Sequence, residues 1–192
     1  MTAGLDDGVA RTCETYLRLA DQHAPGLVEG LYLQGSIALG DYRPGVSDID
    51  FVAVTGQPPD PAAVHDIRLI HAELRRRAGK PFFDGLYVGW GDLRQDPARV
   101  APGPAVHEWR VDPASRFERH LVTWHVLAQG GVAVRGPAVT DLGVHTTCDQ
   151  RWHRVVREAL RIRAGGPPLY RNPWRRRADA VGFLTDLLNG SP

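Results

Sequence analysis

The sequence has little cysteine and no long apolar run, and each absence excludes a class of protein. Cys13 and Cys148 stand far apart without the C-x-x-C spacing of a zinc or redox site, so we expect unpaired core thiols. No apolar stretch reaches the roughly 18 residues of a membrane span. The N-terminus carries acids where a signal peptide would carry basic and then apolar residues. We therefore expect a cytoplasmic protein with no membrane partner.

Charges of opposite sign nearly cancel over the 192 residues, which carry a formal net charge of +1. The balance hides an asymmetry, because residues 1–150 contain 14 basic and 19 acidic side chains, whereas residues 151–192 contain 9 arginines and 3 acids. A basic tail can contact nucleic acid or an acidic partner, although arginines at helical spacing equally form a solvated helix face. We do not expect a nucleic-acid partner, but the basic C-terminus leaves that alternative open, and a homodimer is a further alternative.

Alternating strand and helix patterns predict an α/β (α+β) fold, a small mixed sheet with helices on one side. A helix is predicted to begin at Asp60, an N-cap residue followed by proline at the first helical position. We expect one domain over residues 1–142 and a short helical C-terminal segment over residues 143–192. The other predicted elements are a helix over 6–22, strands over 27–34, 49–54, 82–90 and 132–134, and a helix with the apolar stripe Phe117, Leu121, Trp124 and Ala128.

The stretch GSIALGDYRPGVSDIDF places the pair Asp48 and Asp50 at the start of a predicted strand. Side chains at positions i and i+2 of a strand point to the same side, so these two carboxylates project together. Neighbouring carboxylates repel each other unless a divalent cation lies between them. A bare Asp-x-Asp more often caps a turn, but a strand and Gly-Ser upstream favour a functional pair. We predict that Asp48 and Asp50 are catalytic and bind Mg²⁺ together with phosphate oxygens of a nucleoside triphosphate.

Gly35 and Ser36 follow the preceding strand, where the chain must turn sharply. Glycine allows the backbone to approach a phosphate closely, and the following N–H groups can form an anion-binding concavity with the serine hydroxyl. Neither a G-x-S-x-G elbow, a Walker loop nor a Rossmann glycine turn occurs in the chain, so Ser36 is predicted to bind phosphate rather than act as a nucleophile. Arg43, in the loop between the two motifs, is a further candidate for the triphosphate or else an exposed loop residue.

The block YLQGSIALGDYRPGVSDIDFVAV resembles the hallmark of the DNA-polymerase-β-like nucleotidyltransferase superfamily. More narrowly, residues from about 10 to 140 are similar to aminoglycoside 3''/9 adenylyltransferases, the streptomycin and spectinomycin resistance enzymes, through this block, FFDGLYV, HEW and LVTWHVLAQGGVAVRGPAV. The resemblance implies a nucleotidyltransferase fold, ATP as co-substrate and Mg²⁺ as cofactor. It also implies that the C-terminal helical region is shortened relative to that family.

The superfamily resemblance implies a third carboxylate on a neighbouring strand, as metal ligand or general base. Asp84 in FFDGLYV matches that position, although the resembled adenylyltransferases typically have Glu there. Asp92 and Glu108 are the competitors for this role. Glu108 and Trp109 match a Glu-Trp pair that borders the aminoglycoside site, where an indole can pack on a sugar or a cation; packing in the core is the alternative for Trp109.

These residues together predict an adenylyltransferase that moves AMP from ATP to a hydroxyl of a small acceptor, an aminoglycoside-like antibiotic. Two alternatives stay open. The first is a minimal nucleotidyltransferase that modifies a protein or tRNA, with the basic C-terminus as its docking surface. The second is a nucleotide-binding protein with little catalysis.

Overall fold

A computed structural model describes residues 4–146, which contain a six-stranded mixed sheet with helices on both faces. The strand order is β5-β4-β3-β2-β1-β6, and only the β2–β3 pair among these is parallel. The strands are β1 (Gly30–Gln34), β2 (Ile49–Thr55), β3 (Phe83–Gly89), β4 (Gly103–His107), β5 (Arg110–Ser115) and β6 (Val132–Arg135). The helices are α1 (Asp7–His23), α2 (Gly35–Ala38), α3 (Pro61–Ala78), α4 (Trp90–Leu93) and α5 (Leu121–Gly130), with a 3₁₀ turn at Val139–Asp141.

Local capping chemistry fixes where the two long helices begin. The Asp6 carboxylate accepts hydrogen bonds from the amides of Gly8 and Val9 at the start of α1. At α3, Asp60 is the N-cap, its carboxylate accepts from the Ala63 amide at 2.8 Å, and Pro61 occupies the first turn, as predicted. The face of α3 that packs on the sheet is apolar at helical spacing apart from His71, and all of its members are buried: Val64, Ile67, Ile70, His71 and Leu74.

The prediction of helices on one side of the sheet is wrong. One core lies between the sheet and helices α1 and α3, and a second lies on the other face, where Trp124 and Leu127 of α5 pack with Val52 and Val54. Strand β2 is apolar on both faces, a pattern typical of strands covered on both sides. The sheet is therefore the middle of three layers.

The β4–β5 hairpin and helix α2 were not predicted. Residues 35–38 form one helical turn directly after β1, in a stretch whose sequence predicts a loop or turn. The hairpin lacks the Asn-Gly or Asp-Gly turn signal, and Pro113 inside β5 weakened the strand pattern. Because β5 lies at the sheet edge, a residue without an N–H is tolerated there. Phe117, predicted on the stripe of α5, precedes that helix.

The structure tests the expectation for Cys13, whereas Cys148 and most of the predicted C-terminal segment lie outside the residues it describes. Cys13 is a free, buried thiol, as expected, and burial raises its pKa to about 12. Cys148 and residues 147–192, which make up most of the predicted C-terminal segment, lie outside the described residues. The domain boundary after residue 142 stays a prediction. Among the described helices, none combines the length and apolar character that crossing a membrane requires.

The core beneath α1 and α3 contains a small polar network. The Tyr16 and Tyr87 hydroxyls are 2.8 Å apart, and His71 Nε2 lies 2.9 Å from the Tyr87 hydroxyl. The His71 ring is fully buried and stacks with Phe51. Burial lowers the pKa of His71 to about 3, so the folded protein holds this imidazole neutral. The network thus ties α1, α3 and β3 together through neutral hydrogen bonds.

We predict that His71 makes stability fall in mild acid. The unfolded chain binds a proton at this residue below pH ~6.5, whereas the folded chain does so only near pH 3. The stabilisation is therefore complete above pH ~6.5 and is lost as the pH falls towards 3, at up to about 1.4 kcal/mol per pH unit. Urea unfolding from pH 7 to 4.5 should give a shallower pH dependence for His71→Gln than for the wild type.

The matched control is His65→Gln, because His65 lies exposed on the same helix. This control should follow the wild-type pH dependence. Parallel curves for the wild type and His71→Gln would contradict the prediction.

Candidate active site

The three central strands bring three polar residues into one row. Gln34 at the end of β1 pairs in register with Asp50 of β2, and Asp50 pairs with Asp84 of β3. Strand alternation puts all three on the same face as Val52 and the α5 core. The sequence pattern placed Asp50 and Asp84 on separate strands, and the parallel β2–β3 pairing makes them direct neighbours. The row lies where β1 ends and where β2 and β3 begin.

Asp48 lies two residues before Asp50, just outside β2. Its carboxylate accepts a hydrogen bond from the Phe82 amide at 3.4 Å, and the Ile49 amide donates to the Phe82 carbonyl at 2.8 Å. These two bonds hold the entrance of β2 against the entrance of β3. Asp48 is half-buried and lies at the sheet end at which the row lies.

Gly35 makes the closest approach in the site. Its φ is +63°, and a Cβ built at this position would lie 2.1 Å from Asp50 Oδ2. No other residue type fits this backbone position without moving the carboxylate. Ser36 follows in α2 and is buried, and its carbonyl accepts from the Asp41 amide at 2.8 Å. The Gly-Ser turn is therefore packed directly against one of the two predicted metal ligands.

Arg43 stands apart from the row. Its side chain is 68% exposed and forms an ion pair with Asp41 at 3.3 Å, while its amide donates to the Ser47 hydroxyl. The structure thus puts Arg43 in the loop between Gly35-Ser36 and Asp48, on an acidic neighbour. An exposed pair of this kind contributes little stability, so the guanidinium can exchange Asp41 for a phosphate at small cost.

Asp84 is held from two directions. It is 1% exposed, its Oδ1 accepts from the Glu108 amide at 2.9 Å, and its Oδ2 lies 3.0 Å from His107 Nδ1. Of the competitors for the third carboxylate, Asp92 lies beyond the opposite end of β3, where it accepts from the Gly89 amide. Glu108 has an exposed side chain and meets Asp84 through its backbone. The geometry therefore favours Asp84 over both.

Glu108 and Trp109 form the two-residue turn between β4 and β5. His107 pairs with Arg110, and the φ angles of Glu108 and Trp109 are +48° and +67°. Asn and Gly usually occupy such turns, because other residues are strained by about 1–3 kcal/mol each in this conformation. The bond from Glu108 to Asp84 holds the turn on one side, and on the other side the Trp109 ring lies 6.0 Å from that of Phe82. Strain held in this way is typical of functional sites.

Three further residues of the site were missed by sequence reasoning. Gln34 donates to the Glu118 carboxylate at 2.5 Å, and the His107 ring lies 5.1 Å from that of Phe117. Gln34 could have been noticed as the residue before Gly35. His107 and Glu118 carry no sequence signal, because their position depends on the unpredicted hairpin and on the segment after it. That segment is anchored by the buried Arg119, which donates to the Tyr87 carbonyl at 2.7 Å.

The residues present fit a magnesium ion that takes most of its ligands from phosphate oxygens and water. Asp48, Asp50 and Asp84 offer only oxygen donors, and both central strands begin at the same sheet end. Within residues 4–146, no three side chains of the Asp, Glu, His and Cys types are assembled around one point as a preformed metal cage. Mg²⁺ typically uses one or two carboxylates and completes its shell with phosphate oxygens and water. The aspartate pair suits that mode of binding.

Comparison with protein families agrees with this geometry. Residues 13–86 match the model of the nucleotidyltransferase domain. The matched segment runs from α1 to β3 and includes Gly35, Ser36, Asp48, Asp50 and Asp84. No curated protein matches the chain. The match supports the polymerase-β-like superfamily and general nucleotidyl transfer, and the mixed sheet flanked by helices is consistent with a nucleotidyltransferase fold.

We predict that Gly35→Ala disrupts the site beyond the effect of backbone strain. Gly40 provides the matched control, since its φ is +66° but a Cβ there would meet nothing within 4 Å. Gly40→Ala should cost about 1–2 kcal/mol of unfolding free energy from the left-handed conformation alone. Gly35→Ala should cost a further 1–3 kcal/mol, roughly the usual penalty of overpacking, and should abolish stabilisation by Mg·ATP. Urea unfolding and thermal shift measure both effects, and indistinguishable variants would refute the contact between Gly35 and Asp50.

Proposed function

We propose that this chain transfers AMP from ATP to a hydroxyl group of an acceptor, with Mg²⁺ bound by Asp48 and Asp50. The observation that carries the proposal is the row of Gln34, Asp50 and Asp84, with the Gly35 backbone packed against Asp50. A glycine turn, two acids at a strand entrance and a third acid on the adjacent strand provide a phosphate-binding turn beside a cation site. The match of residues 13–86 to the nucleotidyltransferase domain supports the same class of reaction.

Each of the chain's own groups has a distinct task in this proposal. The N–H groups after Gly35 and the Ser36 hydroxyl bind the outer phosphates, and Arg43 joins them when it leaves Asp41. Asp84 takes the proton from the acceptor hydroxyl, whose oxygen forms a bond to the α-phosphorus while the bond to pyrophosphate breaks in line. A bound Mg²⁺ supplies Lewis-acid stabilisation of the phosphate charge.

His107 suits the role of a positioning residue for Asp84. Its Nδ1 lies 3.0 Å from the Asp84 carboxylate, and its side chain is 52% exposed. Together with the Glu108 amide, it fixes the orientation of a carboxylate that is otherwise enclosed. The ring also offers a route by which a proton collected at Asp84 reaches solvent.

The resemblance makes an aminoglycoside-like molecule the first acceptor to test, with Glu108 and Trp109 as its contacts. One observation favours a different acceptor. An open cleft beside Trp109 is lined by Arg68, Arg75 and Arg76, and a polycationic drug is repelled by such a lining. A minimal nucleotidyltransferase with tRNA as its acceptor is therefore the second candidate. Neither a protein acceptor nor a nucleotide-binding protein with little catalysis has a specific feature in its favour within residues 4–146.

We predict that Mg²⁺ and ATP together raise the melting temperature more than either does alone. The aspartate pair binds the cation well when phosphate oxygens complete the metal's shell, and ligand at 100 times its dissociation constant stabilises a protein by about 2.7 kcal/mol. Asp50→Asn should remove this stabilisation while leaving the protein without ligand folded, or slightly more stable through relief of carboxylate repulsion.

The matched control is Asp66→Asn, because Asp66 is half-buried like Asp50 but lies on α3 away from the row. It should keep the full response. If ATP in EDTA raised the melting temperature as much as ATP with Mg²⁺, the assignment of the aspartate pair as metal ligands would be refuted. Insolubility of Asp50→Asn would instead indicate that Asp50 is a structural residue.

We predict that Asp84→Asn separates a general base from a metal ligand. As a base, Asp84 is needed for the chemical step alone, so the variant should bind Mg·ATP normally and lose about 10² to 10⁴ in rate. Pyrophosphate release is the measurement, with streptomycin, spectinomycin and tRNA offered as acceptors. Asp92→Asn is the control, because Asp92 lies in α4 beyond the opposite end of β3, and it should keep near-normal turnover. Weakened Mg·ATP binding in Asp84→Asn would make Asp84 a metal ligand instead, and unchanged turnover would remove both roles.

A further inference from the structure

An open cleft of about 490 Å³ lies on the α3 side of the sheet end, and only Trp109 among its lining residues has a role in the proposed function. It is lined by Arg68, Ala72, Arg75, Arg76, Trp109 and Val111. The three arginines are exposed on α3, Val111 belongs to β5, and Trp109 is the second residue of the strained turn. The cleft therefore combines three positive charges, an indole and the small apolar side chain of Ala72.

The guanidinium groups of this cleft are not neutralised by strong ion pairs. Within residues 4–146, neither Arg68 nor Arg75 has an ion pair, and Arg76 meets Glu73 at 3.7 Å. Glu73 is already engaged by Arg77 at 2.8 Å and by His23 at 3.3 Å. Exposed guanidinium groups without acidic partners are suited to phosphate, which they bind in a bidentate manner.

Aromatic rings continue the cleft towards the predicted catalytic end. The Trp109 ring lies 6.0 Å from that of Phe82, and Lys80 Nζ lies 3.0 Å from the centroid of the Phe82 ring. The Phe82 amide donates in turn to Asp48. Basic groups interleaved with aromatic rings thus extend from α3 to the entrance of β2. This combination is characteristic of surfaces on which nucleic-acid backbones lie and bases stack.

The spacing of the arginines suits the repeated phosphates of a polymer. Arg68 and Arg75 are seven residues apart on α3, which corresponds to about 10 Å along the helix axis. Two guanidinium groups at that separation can contact neighbouring phosphates of one single strand. The cleft and Asp84 lie on opposite faces of the sheet, joined at its end by the Glu108–Trp109 turn. A flexible strand that lies on the arginines can pass around that turn and continue towards the carboxylates.

We propose that the cleft of Arg68, Arg75, Arg76 and Trp109 binds single-stranded RNA, with its phosphates on the arginines and one base on the indole. The strand leads around the turn towards Asp84, so its own hydroxyl groups are offered to the row of acids. The role of the RNA as acceptor rests on the proposed function, but its binding does not. Binding is therefore measured in EDTA without ATP, where failure of nucleotidyl transfer has no influence.

The test is fluorescence anisotropy of the full chain with a labelled 12-nucleotide uridine RNA over a range of salt concentrations. Arg68→Gln/Arg75→Gln should raise the dissociation constant at least 10-fold. It should also reduce the slope of log affinity against log salt by about 1.4, since each phosphate contact on a single strand contributes about 0.7. The same variant should keep the thermal response to Mg·ATP, which separates this inference from the proposed function.

Arg11→Gln/Arg18→Gln is the matched control, because it removes the same charge from exposed positions on α1. It should change the dissociation constant less than 3-fold. Trp109→Leu should weaken RNA binding at least 5-fold, roughly the loss of one stacked base, while heparin, which has no bases, should bind it as it binds the wild type. Equal losses in the two arginine pairs, or no RNA binding by the wild type at 50 mM salt, would overturn the inference.

Discussion

The contact between the Gly35 backbone and the Asp50 carboxylate is the constraint on which the rest of the candidate site depends. A Cβ at Gly35 would lie only 2.1 Å from Asp50 Oδ2. The Gly-Ser turn and the Asp-x-Asp motif are therefore packed directly against each other. The antiparallel pairing of Gln34 with Asp50 fixes this contact, because a shift of one residue would turn the aspartate to the other face. The same β2 register then fixes Asp84 beside Asp50. The pairing of β1 with β2 and of β2 with β3 thus determines where the Gly-Ser turn and the carboxylates lie.

The strained turn at Glu108 and Trp109 connects Asp84 of the carboxylate row to the hairpin at the edge of the sheet. Asp84 accepts from the Glu108 amide, so the acid stabilises a backbone conformation that non-glycine residues rarely adopt. The relation also works in reverse, because the turn and His107 provide hydrogen-bond partners that help to compensate a buried carboxylate for its lost hydration. The orientation of the Asp84 carboxylate and the conformation of the turn are consequently coupled. A substitution at Asp84 should alter the turn, and a substitution in the turn should alter the orientation of Asp84.

The part of the fold that local chemistry determines could be predicted from the sequence, whereas the part set by distant contacts could not. The start of α3 follows from Asp60 and Pro61, and its buried face follows from helical spacing. The hairpin was missed because Glu108 and Trp109 are atypical turn residues, held by Asp84 from 24 positions away. Of the site, the Gly-Ser turn and the Asp-x-Asp pair could be located by motif. Gln34 with Glu118, and His107 with Asp84, required the pairing of β3 with β4 and the path of residues 116–120.

The distribution of charge about the sheet end bears on what the site can distinguish. In the proposed reaction the carboxylate row would bind a cation and a triphosphate, which are common to every nucleotidyl transfer and carry no information about the acceptor. Selection of the acceptor must therefore come from groups outside the row that still border it. Trp109 meets that condition, since it joins the arginine-lined cleft on one side and follows the residue that binds Asp84 on the other. Because Trp109 follows the residue whose amide binds Asp84, an acceptor that packed on the indole would also act on the orientation of the proposed base. Under the proposed function, acceptor recognition and proton transfer would be linked through this two-residue turn, which is a physical reason for strain to be retained there.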